Sequence, residues 1–204
     1  MTTWDKFYKE KITQIFTDKK SVIDIGGGLR VLKNQGNKYE KKNKWIVPLL
    51  EKVDYKILDP VADFNPDIVG DIHDLPFGDD TQEAVICNAV LEHVEDPAKA
   101  SSEMYRVLKQ GGYLFVYVPF LYYYHAERGY YKDYWRFTED SLRYMFKDFS
   151  HFEIQGVRGA FETWIYISPL GRYKALTTIA GFLDKVFKKN KSKQVSGHYL
   201  FLIK

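Results

Sequence analysis

The run Val22-Ile-Asp-Ile-Gly-Gly-Gly28 constrains the fold of this chain more than any other stretch. Val22, Ile23 and Ile25 form a short apolar run suited to a parallel strand covered on both faces. Gly26, Gly27 and Gly28 then let the backbone take positive φ and let a ligand approach without meeting a Cβ. In doubly wound α/β folds, ligands bind in the crevice beyond the carboxyl ends of such strands. Glycine turns after strands are common. Asp24 inside this one, with two further acidic strand ends at Asp59 and Asp71, makes it more specific.

The remaining pattern alternates strands with helices, which predicts a mainly parallel sheet. Apolar positions Trp4, Phe7, Tyr8, Ile12, Ile15 and Phe16 form a helical stripe over residues 4–16. Strands are predicted at 21–25, 55–59, 67–71, 84–88, 113–118, 152–159 and 198–203. Pro97 opens a helix to about Leu108, stopped by Gly111-Gly112. Thr138 caps another, with Glu139 and Asp140 in its first turn. Residues 30–44 are polar, lysine-rich and weakly periodic, so a regular first helix is not expected there, and 45–53 supplies a short one.

At 204 residues one domain is expected, burying roughly 70% of its unfolded surface. Cys87 is the only cysteine, which excludes an internal disulfide and fits a reducing compartment. The first residues carry no apolar signal core, and the longest uncharged apolar run, Tyr113 to Tyr124, is shorter than the ~20 residues that span a bilayer. A cytoplasmic location is expected. A net charge of +3 is too small to argue for nucleic acid.

The glycine turn fits neither common phosphate-binding loop. Val31 stands where a dinucleotide fingerprint needs its third glycine, and G-K-[ST] is absent. An aspartate two residues before the first glycine suits a ligand with positive charge near the loop, such as a sulfonium amino acid. Five motifs follow in order: Asp24-x-Gly26-x-Gly28; Leu58-Asp59-Pro60; Gly70-Asp-Ile-His-Asp-Leu-Pro-Phe77; Val90-Leu-Glu-His-Val-Glu-Asp-Pro97; and Arg106-Val-Leu-Lys-Gln-Gly-Gly-Tyr113. Together they resemble the small-molecule (type 11-like) branch of the class I S-adenosylmethionine-dependent methyltransferases, over about residues 20 to 160.

The resemblance implies a Rossmann-like, doubly wound α/β fold with a mainly parallel seven-stranded sheet and an antiparallel last strand. It implies a cofactor-binding core at 21–160, to which the chain's own apolar spacing adds a helix at 1–20 and a helical insertion at 165–195, where the family's last two strands usually form a close pair. It further implies S-adenosyl-L-methionine as cofactor. Gly26 and Gly28 would border its methionine and ribose part, and Asp24 would orient the amino end. Asp59 would accept both ribose hydroxyls, since a carboxylate has two acceptor oxygens and no donor. Asp71 would bond the adenine amino group and the Ile72 backbone would meet the ring edge, with Asn88 near the reaction centre. Taken singly, Asp59 and Asp71 read as turn residues; in one ordered set they read as ligands to the cofactor. The span from Gly28 to Asp59 is longer than the ~20 residues usual in such folds and marks an irregular loop or a gating insertion.

Acceptor residues are expected after the fifth strand. The pattern His125…Asp133-Tyr-Trp-Arg136-Phe-Thr138 before a helix resembles methyltransferases encoded with bacterial surface-polysaccharide enzymes. His125 is the candidate general base, because an imidazole is mostly neutral near pH 7. Asp133 would orient it and Arg136 would bind an anionic acceptor such as a sugar phosphate. The bland alternative is a loop histidine beside a surface ion pair. His93 reads as a packing and hydrogen-bonding residue. Tyr122–Tyr124, Tyr130, Tyr131, Tyr134 and Trp135 would form either a stacking wall or ordinary core and rim. The histidines show no H-x-x-x-H spacing and no cysteine partners, so no metal site is expected.

The likeness thus points to O-methylation of a carbohydrate or glycoconjugate. Two alternatives keep the same cofactor site: methylation of a small lipophile or amine, and a binding protein without turnover. A small-molecule or glycan acceptor is expected, and no nucleic acid. The oligomeric state is open. Residues 170–193 combine helical apolar spacing with a lysine cluster, which reads as a lid or dimer helix with a solvated basic tail, or as a membrane-surface contact.

Overall fold

The computed structural model describes every residue except Asn37. The described chain forms a seven-stranded sheet in the order β3-β2-β1-β4-β5-β7-β6. The strands are β1 (Ser21–Ile25), β2 (Asp54–Asp59), β3 (Ile68–Val69), β4 (Gln82–Asn88), β5 (Leu108–Pro119), β6 (His151–Val157) and β7 (Gly197–Ile203). The first five run parallel to their neighbours, and β7 is antiparallel to both β5 and β6. The chain order reverses between β1 and β4, so the crevice that receives a ligand opens at their carboxyl ends.

Period-two alternation distributes each strand between two cores. Ile23 and Ile25 join Val85, Cys87, Leu114, Val116, Leu200 and Leu202 on one face. Ala100 and Met104 of α3 (Pro97–Val107), Leu142 of α4 (Glu139–Met145) and Phe146 just after it cover that face. Val22, Ala84, Ile86, Phe115 and Phe201 form the other face, under Ile12, Ile15 and Phe16 of α1 (Thr3–Asp18). A large apolar side chain buried this way contributes roughly 1.5–3 kcal/mol.

The helix starts follow from capping chemistry. Thr2 and Asp5 form a reciprocal capping box on α1. Asp96 accepts from the Lys99 N–H ahead of α3, where Pro97 fills the first position, and Thr138 accepts from the Ser141 N–H at α4.

Three segments depart from expectation. The helix after Pro97 stops at Val107 and β5 starts at once at Leu108, so Gly111-Gly112 lies inside the strand. Leu108 pairs with Gln82 before a register shift, and Gly111 turns at φ +72°. The third strand shrinks to two residues. The helical segment before the last strand begins at Gly159 rather than near 165. There α5 (Ala160–Ile167) leads through a 3-10 turn to α6 (Lys174–Val186). Asp184 of α6 clamps the start of α5 by accepting from the Phe161 and Glu162 N–H groups, each at 2.9 Å. Only glycine fits at 159, since a Cβ there would lie 2.3 Å from the Asp184 carboxyl carbon.

The described residues of 31–40 are irregular, as their polarity implies, and lead to a 3-10 helix at Lys41–Ile46 and the short α2 (Val47–Leu50). This segment crosses the glycine turn: the Gly36 N–H donates to the Phe64 carbonyl at 2.7 Å, beside Gly27. None of the described helices is long and apolar enough to cross a membrane.

Candidate active site

A cleft of about 670 Å³ opens at the carboxyl edge of the sheet. Its floor is Gly28, Asn88 and Ala89; its walls come from α1 (Trp4, Tyr8), the β5 end (Tyr117), the following loop (Tyr122, Tyr123, His125) and Arg158, Tyr166 and Tyr199.

The turn that ends β1 is built around Asp24. This side chain is fully buried, and its carboxylate accepts from the Gly28 N–H (3.1 Å), the Leu29 N–H (3.0 Å) and the Tyr55 hydroxyl (2.6 Å). Burial pushes its pKa up to about 7 against those three hydrogen bonds. Three of the carboxylate's lone-pair sites thus hold the turn itself. Gly26 (φ +73°) donates its N–H to the Leu58 carbonyl at 2.7 Å. Gly28 sits so close to β4 that a Cβ would lie 2.3 Å from the Asn88 carbonyl oxygen. The Asn88 amide donates to the Gly28 carbonyl at 2.6 Å, fastening the two strand ends that floor the cleft.

Asp59 ends β2 with 6% exposure, and burial raises its pKa. Oδ1 accepts from the Val61 N–H at 2.8 Å; among the described residues Oδ2 has no hydrogen-bond partner. That free acceptor at the end of β2 suits a diol. Asp71 is exposed and its Oδ1 accepts from the His73 N–H (2.9 Å) and faces His73 Nδ1 (2.7 Å), while Ile72 is buried in the core. Gly26, Asp59, Asp71 and Ile72 lie along the β1–β3 side, outside the open cleft lined by Gly28 and Asn88.

The loop after β5 gathers the acceptor-side candidates. The Asp133 side chain is fully covered; it accepts from the His125 N–H at 2.8 Å and lies 3.2 Å from His125 Nδ1. Burial alone would raise its carboxyl, yet the Arg136 guanidinium holds it at about 2. Arg136 makes five hydrogen bonds: two to Asp133 at 2.6 and 2.8 Å, and three to the Tyr122, Tyr123 and Trp135 carbonyls. A guanidinium has five N–H donors, so none is left for an anionic acceptor. The expected anion-binding role of Arg136 is corrected to one of pinning this loop.

Two functional candidates escaped the sequence pattern. Arg158 lines the cleft with its guanidinium 3.6 Å from the Tyr166 ring centroid and donates to Ser196 Oγ at 2.9 Å. Glu92 is 1% exposed, and its Oε2 is buried without a hydrogen-bond partner among the described residues. Its Oε1 lies 3.8 Å from His93 Nε2 and 3.6 Å from His125 Nε2. The Glu92 carboxylate raises the His125 pKa, whereas burial lowers that of His93. Spacing along the chain pointed to no metal site; the fold nevertheless brings one ligand atom from each of these three residues within 4.8 Å of one another. The available signal was an acid inside the apolar run Val90-Leu-Glu-His-Val94. Of the expected aromatic wall, Tyr122 and Tyr123 line the cleft; Tyr124, Tyr130, Tyr131, Tyr134 and Trp135 lie elsewhere.

Residues 48–116 match the methyltransferase domain family, which takes in α2 to β5. A 46-residue stretch is 48% identical to an uncharacterized protein in transposon Tn4556 of Streptomyces fradiae, covering 22% of this chain and 13% of that one. The fold is similar to an S-adenosylmethionine-dependent methyltransferase of Archaeoglobus fulgidus (TM-score 0.59, 12% identity, 100% of both chains). It is also similar to phosphoethanolamine N-methyltransferase 2 of Haemonchus contortus in complex with S-adenosyl-L-methionine (TM-score 0.54, 14% identity, 98% of this chain and 52% of that one). The methyltransferase-domain match lies across the central strands of a sheet with this order and this carboxyl-edge cleft, and the fold is the one these S-adenosylmethionine-dependent methyltransferases share.

Proposed function

We propose that the chain methylates a hydroxyl group of a carbohydrate or glycoconjugate. The observation that carries this reading is the His125 wall of the cleft. Asp133 and the Tyr123 carbonyl face Nδ1, so the ring's Nε2 carries the lone pair and lines a cleft walled by tyrosines. Tyrosines offer flat faces to a sugar ring and hydroxyls to its polar edge. Burial raises the Tyr117 and Tyr199 phenols, so they stay neutral donors.

The cofactor supplies an activated methyl group, and the residues of this chain supply alignment. The free oxygen of Asp59 would hold the ribose hydroxyls, Asp71 and the Ile72 backbone the adenine, and Gly26 and Gly28 the narrow passage between them. Asn88 would border the transferred group. On the acceptor side His125 activates the hydroxyl, with Asp133 and Arg136 as positioning residues. Recognition of an acceptor phosphate passes to Arg158, which keeps donors beyond its bond to Ser196 and its 3.8 Å ion pair with Glu162.

An amine acceptor is the second reading. The unpaired buried carboxylate of Glu92 would suit an ammonium group at the same wall.

A lipid-linked acceptor would also explain α5 and α6. Trp164, Ile179, Phe182, Val186 and Phe187 are exposed there, beside Lys185, Lys188, Lys189, Lys191 and Lys193. Apolar side chains ringed by lysines suit an anionic bilayer surface. Tyr166 of α5 lines the cleft, so this face would bring the cleft to the lipid. Sedimentation with anionic but not neutral vesicles is the expected behaviour, and equal pelleting with both would remove the electrostatic part.

The direct test is transfer of isotopically labelled methyl into soluble sugars, lipid-linked glycans, small lipids and amines. Label is expected in a glycan fraction, reduced at least about 100-fold by His125→Ala, a size typical for loss of a group assisting proton transfer. Cofactor affinity should be unchanged in that variant. Asp59→Ala should instead weaken cofactor binding in calorimetry by roughly 100-fold, in keeping with lost charged hydrogen bonds. Label confined to amines would replace the hydroxyl reading.

A further inference from the structure

With both rings neutral, three acceptor atoms converge in the cleft wall. His93 Nδ1 lies 2.6 Å from the Lys132 carbonyl, which can only accept, so this nitrogen carries the proton and Nε2 the lone pair. His125 Nδ1 faces the Tyr123 carbonyl at 3.1 Å and the Asp133 carboxylate at 3.2 Å, both acceptors, which fixes the same tautomer. The two Nε2 lone pairs and Glu92 Oε1 therefore point at one another across 3.6 and 3.8 Å. Behind them Glu92 Oε2 is buried with no partner. Acceptors converging on a buried carboxylate in this way favour positive charge placed among them.

We propose that Glu92, His93 Nε2 and His125 Nε2 hold one divalent transition-metal cation, of the zinc or manganese class. Two imidazoles and a carboxylate suit such ions, whereas magnesium and calcium prefer oxygen-only shells. Each imidazole already donates its far nitrogen to an oxygen acceptor, as metal-ligating histidines do. Asp133, pinned by Arg136, is one of those acceptors, which gives the Asp133-Tyr-Trp-Arg136 motif a role that anion binding could not. Glu92 and His125 line the cleft, so positions opposite the three ligands open toward an acceptor, the arrangement of catalytic rather than structural sites. The inference rests on the acceptor-site reading only for that last step: with the His125 lone pair taken up as a ligand, the ion rather than the free imidazole would orient and acidify the acceptor oxygen.

The test strips the full chain with EDTA and titrates Co²⁺ and then Zn²⁺. Visible absorption, metal content after gel filtration and the melting temperature are read together. One Co²⁺ per chain is expected, displaced by Zn²⁺, with a raised melting temperature. Glu92→Gln and His93→Gln should each weaken binding roughly 100-fold, while His151→Gln, at an exposed histidine far from the cluster, should bind as wild type. Absence of binding at about 1 mM metal, or binding that survives Glu92→Gln, overturns the proposal. Wild-type reversal by EDTA and Zn²⁺ needs no variant to fold. If no metal binds and His125→Ala still slows methyl transfer, the cation site falls and the acceptor reading stands, with His125 as base. If metal binds as described and no hydroxyl acceptor is methylated, the cation site stands and the acceptor reading falls.

Discussion

Two carboxylates at the carboxyl edge of the sheet are equally hidden and opposite in state. Asp24 is fully buried, and three donors converge on it. Glu92 is as deeply buried, faces two imidazole lone pairs and leaves one oxygen without a partner. A buried polar group that the chain satisfies by itself is part of the scaffold; one that the chain leaves unsatisfied retains capacity for something else. The first holds the glycine turn in shape. The second sits in the cleft where the acceptor is expected.

The contrast breaks or holds on measured stabilities. Asp24→Asn replaces one acceptor oxygen with an amide donor facing an N–H group. It should cost about 3 kcal/mol in urea denaturation. Loss of less than about 1 kcal/mol would mean that the turn does not depend on this carboxylate.

His198 sharpens the comparison from the side of a base. Its ring is buried in β7, Nε2 has no hydrogen-bond partner among the described residues, and burial lowers its pKa to about 4. The unfolded chain binds this proton first as pH falls below 6.5, so stability is present above that value and is lost toward pH 4. The shift from 6.5 to about 4 corresponds to about 3 kcal/mol in full. His198→Gln should flatten the stability profile between pH 6.5 and 4, and an unaltered slope would assign the acid sensitivity elsewhere.

Glu92→Gln should have the smallest effect on stability. Removing an uncompensated buried charge should leave the metal-free protein unchanged or more stable by up to about 1 kcal/mol, while abolishing the function of the wall. A loss as large as that of Asp24→Asn would show that Glu92 belongs to the scaffold too.

Much of the fold was legible because its signals are local. The apolar run before Gly26, Pro97 after Asp96 and the capping residue Thr138 each act through neighbours within a few residues. Strand 108–119 was misplaced at its start for a non-local reason: Leu108 pairs with Gln82, a partner outside any local window. The polar stretch 30–44 was read as irregular, yet nothing in it announced that Gly36 would cross the glycine turn beside Gly27.

At the site, the sequence by itself determined residue types and order: a glycine turn, an acid at the end of β2, a histidine followed by Asp133 and Arg136. It could not determine which acids are spent. Asp24 and Arg136 carry the charges expected of ligand contacts, but their partners are supplied by Tyr55, thirty-one positions along from Asp24, and by the backbone folding back on itself at 122–123. Only the tertiary structure brought Glu92 and His93 against His125, which follows α3 and β5 in the chain. Hydrogen-bond capacity is a local property of a side chain, whereas whether that capacity is used depends on everything packed around it.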